Sequence, residues 1–248
     1  MKKIAYILGI ICAMTMQSCL DLEPKTQLAD TNYWKSPEHF KLFATQFYSW
    51  SADFRWLDDS QHADIRSDLF AGSTVNIYSN GTNSIPSSDK HYTDNYNRIR
   101  QTNTLLQQAD TYEQQADIAI SVGEARFFRA YCYFNLVRAF GEVPLVTYKI
   151  NDASEANIPK TTADKIYEQI DKDLAEAEKC LPLTWTSEYT GRITWGAARS
   201  LHARTYMMRN DWDNMYDAST EVIKSGLYNL NTPVDKVFTV EGENCGES

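Results

Sequence analysis

Phe127-Phe128-Arg129-Ala130-Tyr131-Cys132-Tyr133-Phe134-Asn135-Leu136-Val137-Arg138-Ala139-Phe140, followed by Gly141-Glu142-Val143-Pro144, is the stretch that decides the fold. Across residues 122–140, Phe127, Ala130, Tyr131, Phe134 and Val137 recur at steps of three and four. Phe128, Cys132 and Leu136 cover a second face, so the helix is apolar around most of its circumference. Such a helix belongs inside a core rather than on a surface. Gly141 can end it in a left-handed conformation, and Pro144 prevents it from resuming.

Working outward, other segments carry the same period and need such a core to pack on. Phe40, Phe43, Phe47 and Trp50 form one stripe in a helix expected from Glu38 to about Trp56. Helical spacing returns near Asp94 with Tyr96, Ile99, Leu105, Leu106 and Ala109. Beyond the core helix, Thr161-x-x-Asp164 reads as a capping box, and Ile166, Ile170, Leu174, Ala177 and Leu181 make the next stripe. Further helices are expected over 193–209 and 212–224, the latter stopped by Gly226, and Val237-Phe238-Thr239-Val240 could begin a strand. The fold class is therefore all-α, with helix pairs that resemble tetratricopeptide-like units. No strict period of roughly 34 residues accompanies them. Residues 57–92 break the pattern with Asp, Ser, Asn and Gly. A loop of that length in a compact domain is functional or disordered.

The 248 residues are 43% hydrophobic with a net charge of −9. That content excludes wholesale disorder. The acidic balance argues against a nucleic-acid binder, which needs a basic stripe. No HExxH, P-loop, GxSxG or GxGxxG occurs, the four histidines lack paired helical spacing, and no cofactor is expected. Cys132, Cys180 and Cys245 have no CxxC or zinc-type spacing, and Cys132 reads as a small buried hydrophobe.

The N-terminus is expected to be an address rather than fold. Lys2 and Lys3 precede an uncharged, mostly apolar run from Ile4 to Met14, too short to cross a bilayer core of about 30 Å. Met16-Gln17-Ser18-Cys19 resembles a bacterial lipobox, which would make residues 1–18 a lipoprotein signal peptide and Cys19 the lipid attachment site. Residues 19–37 read as a polar tether, leaving 38–248 as the folded domain.

Taken together, four segments resemble the SusD/RagB family of outer-membrane nutrient-binding lipoproteins. They are Glu124-Ala125-Arg126-Phe127 through Leu145, Cys19-Leu20-Asp21-Leu22-Glu23-Pro24, Tyr96-Asn97-Arg98-Ile99-Arg100-Gln101-Thr102-Asn103, and Gly191-Arg192-Ile193-Thr194-Trp195 with Ala203-Arg204-Thr205-Tyr206. The resemblance implies a non-catalytic, lipid-anchored protein on the outer face of the outer membrane. It would capture oligosaccharides, or peptides as RagB-type members do, for a TonB-dependent SusC-like transporter. Family members are much longer, so the resemblance implies that a C-terminal half is missing. A helical-repeat scaffold with a protein as its only ligand is the alternative from a different class.

Sugar capture needs aromatic faces beside convergent polar groups. Residues 50–80 offer Trp56, Asp59, Asp64, Arg66, Asp68, Asn76 and Tyr78, with Trp185 and Tyr189 as second-rank candidates. Trp50 completes a helical stripe and is expected in the core, whereas Trp56 and Tyr78 are off-period and equally open to either role. Asp64, Arg66 and Asp68 could equally be solvated loop charges. Asp58 and Asp59 are adjacent, and so point apart in regular structure. They make a poor retaining-glycosidase pair, whose carboxyls sit about 5 Å apart across a substrate.

Overall fold

A computed structural model describes residues 33–55, 89–237 and 239–242. The chain divides into two compact units, Met1–Lys35 and Ser36–Ser248. The first contributes only residues 33–35 to the described set, and every element below belongs to the second.

Among the described residues seven helices follow in order: α1 (Pro37–Thr45), α2 (Lys90–Asp110), α3 (Gln115–Phe140), α4 (Ala163–Cys180), α5 (Trp195–Met208), α6 (Trp212–Lys224) and the short α7 (Val234–Val237). A 3₁₀ helix, Gln46–Arg55, continues α1. The only sheet among the described residues is a two-stranded antiparallel clip, β1 (Val143–Pro144) with β2 (Lys160–Thr161), in which Val143 faces Thr161. The all-α class with sequential helices packed as neighbours (α2 on α3, α3 on α4, α4 on α5, α5 on α6) is what the sequence pattern implies.

α3 is the core helix. Phe127, Phe128, Ala130, Cys132, Tyr133, Phe134, Leu136 and Val137 are all buried, and Gly141 ends it at φ 69°. Burial pushes the Cys132 thiol up to about 12, which keeps it a protonated hydrophobe. Tyr133 hydroxyl donates to the Val146 carbonyl at 2.8 Å and accepts from the Val146 amide at 2.7 Å, pinning the strand exit to the helix. Burying Phe40 and Phe47 against this helix contributes about 1.5–3 kcal/mol each. Phe47 and Trp50 meet at 4.8 Å, and each also packs on Phe128.

Several expectations change in detail. The stripe from Phe40 to Trp50 is split between an α-helix and a 3₁₀ helix instead of one continuous helix. α2 starts earlier than the apolar period, at Lys90, because Asp89 caps it by accepting from the Tyr92 amide at 3.0 Å. The capping box at Thr161 does not form. Thr161 is in β2, and the cap position is Thr162, whose side chain makes no capping bond. Val237 and Val240, expected at the start of a strand, lie in α7 and a 3₁₀ turn instead. Phe140, expected in the core with its neighbours, is 39% exposed at the helix end, where it packs on Tyr92.

The core also holds charge. Asp173 of α4 is fully buried and receives Arg129 of α3 through two hydrogen bonds, Nε at 2.8 Å and Nη2 at 2.6 Å. Arg126 adds a third at 2.8 Å. Arg129 Nη1 reaches Asn103 of α2 at 2.8 Å, so one guanidinium joins three helices. Burial alone would raise the Asp173 carboxyl, but Arg129 and then Arg126 outweigh it and hold it below the ordinary carboxylate range.

Candidate functional site

Between α4 and α5 the chain makes a loop, residues 181–194, whose ends are tied together by the Trp195 amide donating to the Pro182 carbonyl at 2.8 Å. Inside it the Trp185 indole donates to the Ile193 carbonyl at 3.0 Å, and Thr194 caps α5 by accepting from the Ala197 amide at 3.2 Å. A loop with closed ends and internal side-chain bonds is an Ω-type surface element, a frequent carrier of function. Gly191, at φ 91°, supplies the reversal that non-glycine residues rarely make.

Arg192 anchors this loop to the core helix. Its Nε and Nη2 reach the two oxygens of Glu124 at 2.8 and 2.7 Å, a bidentate clasp on a carboxylate with no exposure. Tyr48 of the 3₁₀ helix donates to the same carboxylate at 2.6 Å and accepts from the Ile193 amide at 3.0 Å. Burial first, and the Glu124 charge second, push the Tyr48 hydroxyl well above the ordinary tyrosine range. The hydroxyl therefore stays a donor at every physiological pH.

Two half-buried aromatic rings stand on this base. Trp185 and Tyr189 are 5.8 Å apart at 59°. Arg192 lies 5.6 Å from the Trp185 ring and 5.1 Å from the Tyr48 ring. Lys41 of α1 donates to the Tyr189 hydroxyl at 2.8 Å and sits 4.5 Å from the centre of its ring. That hydrogen bond holds the Lys41 ammonium above its ordinary value. The arrangement offers fixed aromatic surface beside cationic donors, which suits holding a ligand by stacking and hydrogen bonding. It offers little for acid–base chemistry, because both Glu124 oxygens are already engaged by Arg192 and Tyr48. Among the described residues no group of three or more His, Cys, Asp or Glu side chains is placed to hold a metal ion.

Of the residues expected from sequence, Trp185 and Tyr189 are brought together. Trp50 packs between Phe47 and Phe128, with Arg98 5.8 Å from its ring, but stays half-buried where its stripe implies the core. Trp56, Asp59, Asp64, Arg66, Asp68, Asn76 and Tyr78 lie outside the described residues, as do Asp58 and Cys19. Lys41, Tyr48 and Glu124 were not expected at any site. Nothing in their spacing marks them, since their partners lie 68 to 148 residues away.

Consecutive helices packed as neighbours, with aromatic rings on a tied loop between α4 and α5, define a protein of the helical-repeat class. Residues 19–207 match the SusD-like family described as starch-binding and associating with the outer membrane, and the chain belongs to that family. It is similar to a SusD-like protein of Formosa agariphila, 26% identical over 229 residues, which cover 87% of this chain and 44% of that one. Its fold matches a laminarin-binding SusD-like protein with a TM-score of 0.76 at 24% identity, covering 85% of this chain and 50% of the other. Surface glycan-binding protein A from Bacteroides uniformis matches with a TM-score of 0.73 at 24% identity, over 86% and 51% of the respective chains. The chain thus spans about half the length of the proteins it resembles. No helix among the described residues is long and apolar enough to cross a membrane.

Proposed function

We propose that this protein captures glycans at the cell surface without catalysis, as a lipid-anchored outer-membrane component that hands oligosaccharides to a TonB-dependent SusC-like transporter. The observation that carries this reading is the family match over residues 19–207. The laminarin bound by one structural relative supports glycan as the ligand class. In this reading residues 1–18 are a signal peptide and Cys19 is acylated, residues 19–37 form the tether and 38–248 the binding domain. More than one acyl chain gives stable anchoring, whereas one alone holds marginally.

The candidate sugar contacts are Trp185 and Tyr189 on the tied loop and, from sequence, Trp56, Asp59, Asp64, Arg66, Asp68, Asn76 and Tyr78, which lie outside the described residues. Each ring can cover a pyranose C–H face, and base–aromatic stacking of comparable area contributes about 1–3 kcal/mol per ring. The test is affinity electrophoresis of the full chain in gels containing laminarin, starch and other neutral glycans. Retardation that weakens in Trp185→Ala and Tyr189→Ala supports the reading. Migration unaffected by every glycan, with binding of peptides or of the transporter alone, replaces it with the peptide-capture or scaffold reading. Loss of palmitate labelling in Cys19→Ala tests the anchor.

A further inference from the structure

A second feature lies away from the loop, where α2, α3 and α4 meet the segment after β1. It is a cleft of about 220 Å³ lined by Gln107, Asp110, Arg126, Tyr148, Gln169 and Lys172. Pockets for drug-sized ligands measure roughly 300–1,000 Å³, so this one suits a single sugar ring or its substituent. Tyr148 is 48% exposed, leaving its ring available as a platform at the mouth.

The charges are unequal. Arg129, which also borders the cleft, spends its donors on Asp173, Asn103 and the Thr147 carbonyl. Arg126 shares Asp173 through Nη1 only, and its Nε is buried with no hydrogen-bond partner among the described residues. A buried unsatisfied guanidinium N–H is costly, by about 1–3 kcal/mol or more for a charged group. The Arg126 side chain as a whole is 23% exposed and borders the cleft, so the part of its guanidinium not bonded to Asp173 can meet an acceptor there. Lys172 brings a second cation from an exposed position on α4. Asp110 is the opposing charge on the cleft wall. With Arg129 neutralised by Asp173, the free balance favours one negative charge, and Asp110 remains to accept sugar hydroxyls beside it.

We propose that this cleft is a subsite for an acidic sugar residue, with Arg126 and Lys172 holding a carboxylate or sulfate and Tyr148 stacking on the ring. The inference rests on the glycan-capture reading and narrows it to glycans that carry monoanionic residues. Gln107 and Gln169 supply amides for the neutral hydroxyls. A dianionic phosphate would leave one charge unbalanced, so the cleft selects against it.

The experiment is calorimetry on the full chain with trigalacturonate, its methyl ester and the monoanion methyl sulfate. Trigalacturonate should bind, weaken at an ionic strength of ~1 M where the screening length is about 3 Å, and lose roughly tenfold or more in Lys172→Glu and in Tyr148→Ala. Both positions are exposed, so an unchanged melting temperature shows that neither variant acts through folding. Competition by methyl sulfate assigns the site to monoanions in general, and its absence with trigalacturonate bound assigns it to the carboxylate. Equal binding of the methyl ester, or of Lys172→Glu, overturns the proposal. So does failure to bind trigalacturonate. If neutral glycans are still retained in that case, only the acidic subsite is lost and the capture reading stands. If they are not, both are lost.

Discussion

Arg192 and Glu124 lie 68 residues apart in the chain, and their side chains close a bidentate pair at 2.8 and 2.7 Å beneath the 181–194 loop. Glu124 is fully buried and the Arg192 side chain is 13% exposed. Removing one partner strands the other charge, which costs about 3–5 kcal/mol, whereas replacing both with apolar groups of similar volume is often neutral. Arg192→Met should therefore destabilise more than the double variant Arg192→Met/Glu124→Leu in urea unfolding. The single variant should also expose the loop to limited proteolysis by chymotrypsin at Trp185 and Tyr189. Equal costs for single and double variants would mean that the pair is not what holds the loop.

The α3–α4 interface depends on an absent side chain. A Cβ at Gly123 would lie 2.8 Å from the Cβ of Cys180 and 3.2 Å from Leu181 Cγ. Neither contact is the far end of a flexible chain, so the helices would have to part. Gly123→Ala gains about 1 kcal/mol of helix propensity, but overpacking costs about 1–3 kcal/mol. The expected net effect is destabilisation, read as a lower melting temperature. A Gly123→Ala protein that melts higher would show that the interface yields.

These two contacts show which parts of the molecule were legible in sequence. The apolar stripes of α3 and α4 announced both helices and their buried faces, because hydrophobic periodicity is a local signal. The boundary at Lys90 depends on a single capping bond from Asp89, whereas α4 begins after Thr162 with no side-chain cap, so neither start could be read from the apolar period. Glu124 and Arg129 sit on the core helix as ordinary charged letters. Only their distant partners, Arg192 and Asp173, reveal that they are buried and paired. Trp185 and Tyr189 could be nominated from a loop's composition, but Lys41 and Tyr48 could not, since nothing local ties them to that loop.

The Asp173 carboxylate sets an acid limit. Its folded-state proton affinity is lowered, so the stability it contributes is present above the unfolded value of about 3.9 and is lost as pH falls through the lower folded value. Far-ultraviolet circular dichroism should show unfolding that begins below about pH 4 in the native chain. Asp173→Asn keeps the shape but leaves Arg129, 3% exposed, without its counter-charge, and should cost about 3–5 kcal/mol at neutral pH. The same substitution should flatten the acid limb of the stability curve. An unchanged acid limb would assign it to other carboxylates.

His202 sets the opposite limit. Its ring is 3% exposed, stacked on Tyr206 at 4.5 Å, with Nδ1 2.8 Å from Glu178 and Nε2 3.4 Å from Asp171. Burial alone would lower its proton affinity, but the two carboxylates of α4 outweigh this and raise it above the usual value. Arg199 and Arg209 bind the same carboxylates, and Arg199 also meets Glu221 of α6 at 2.8 Å, so the imidazolium is one of three cations among three carboxylates. A raised folded-state value means that the contribution is fully present below the unfolded value of about 6.5. It is then lost as pH rises through the folded value. Melting temperatures taken between about pH 6 and about pH 9 should therefore fall on the alkaline side. His202→Gln keeps a donor toward Glu178 but does not titrate, so it should remove that fall while lowering stability most at the acid end of the range. Parallel curves for the two proteins would exclude His202 as the titrating group.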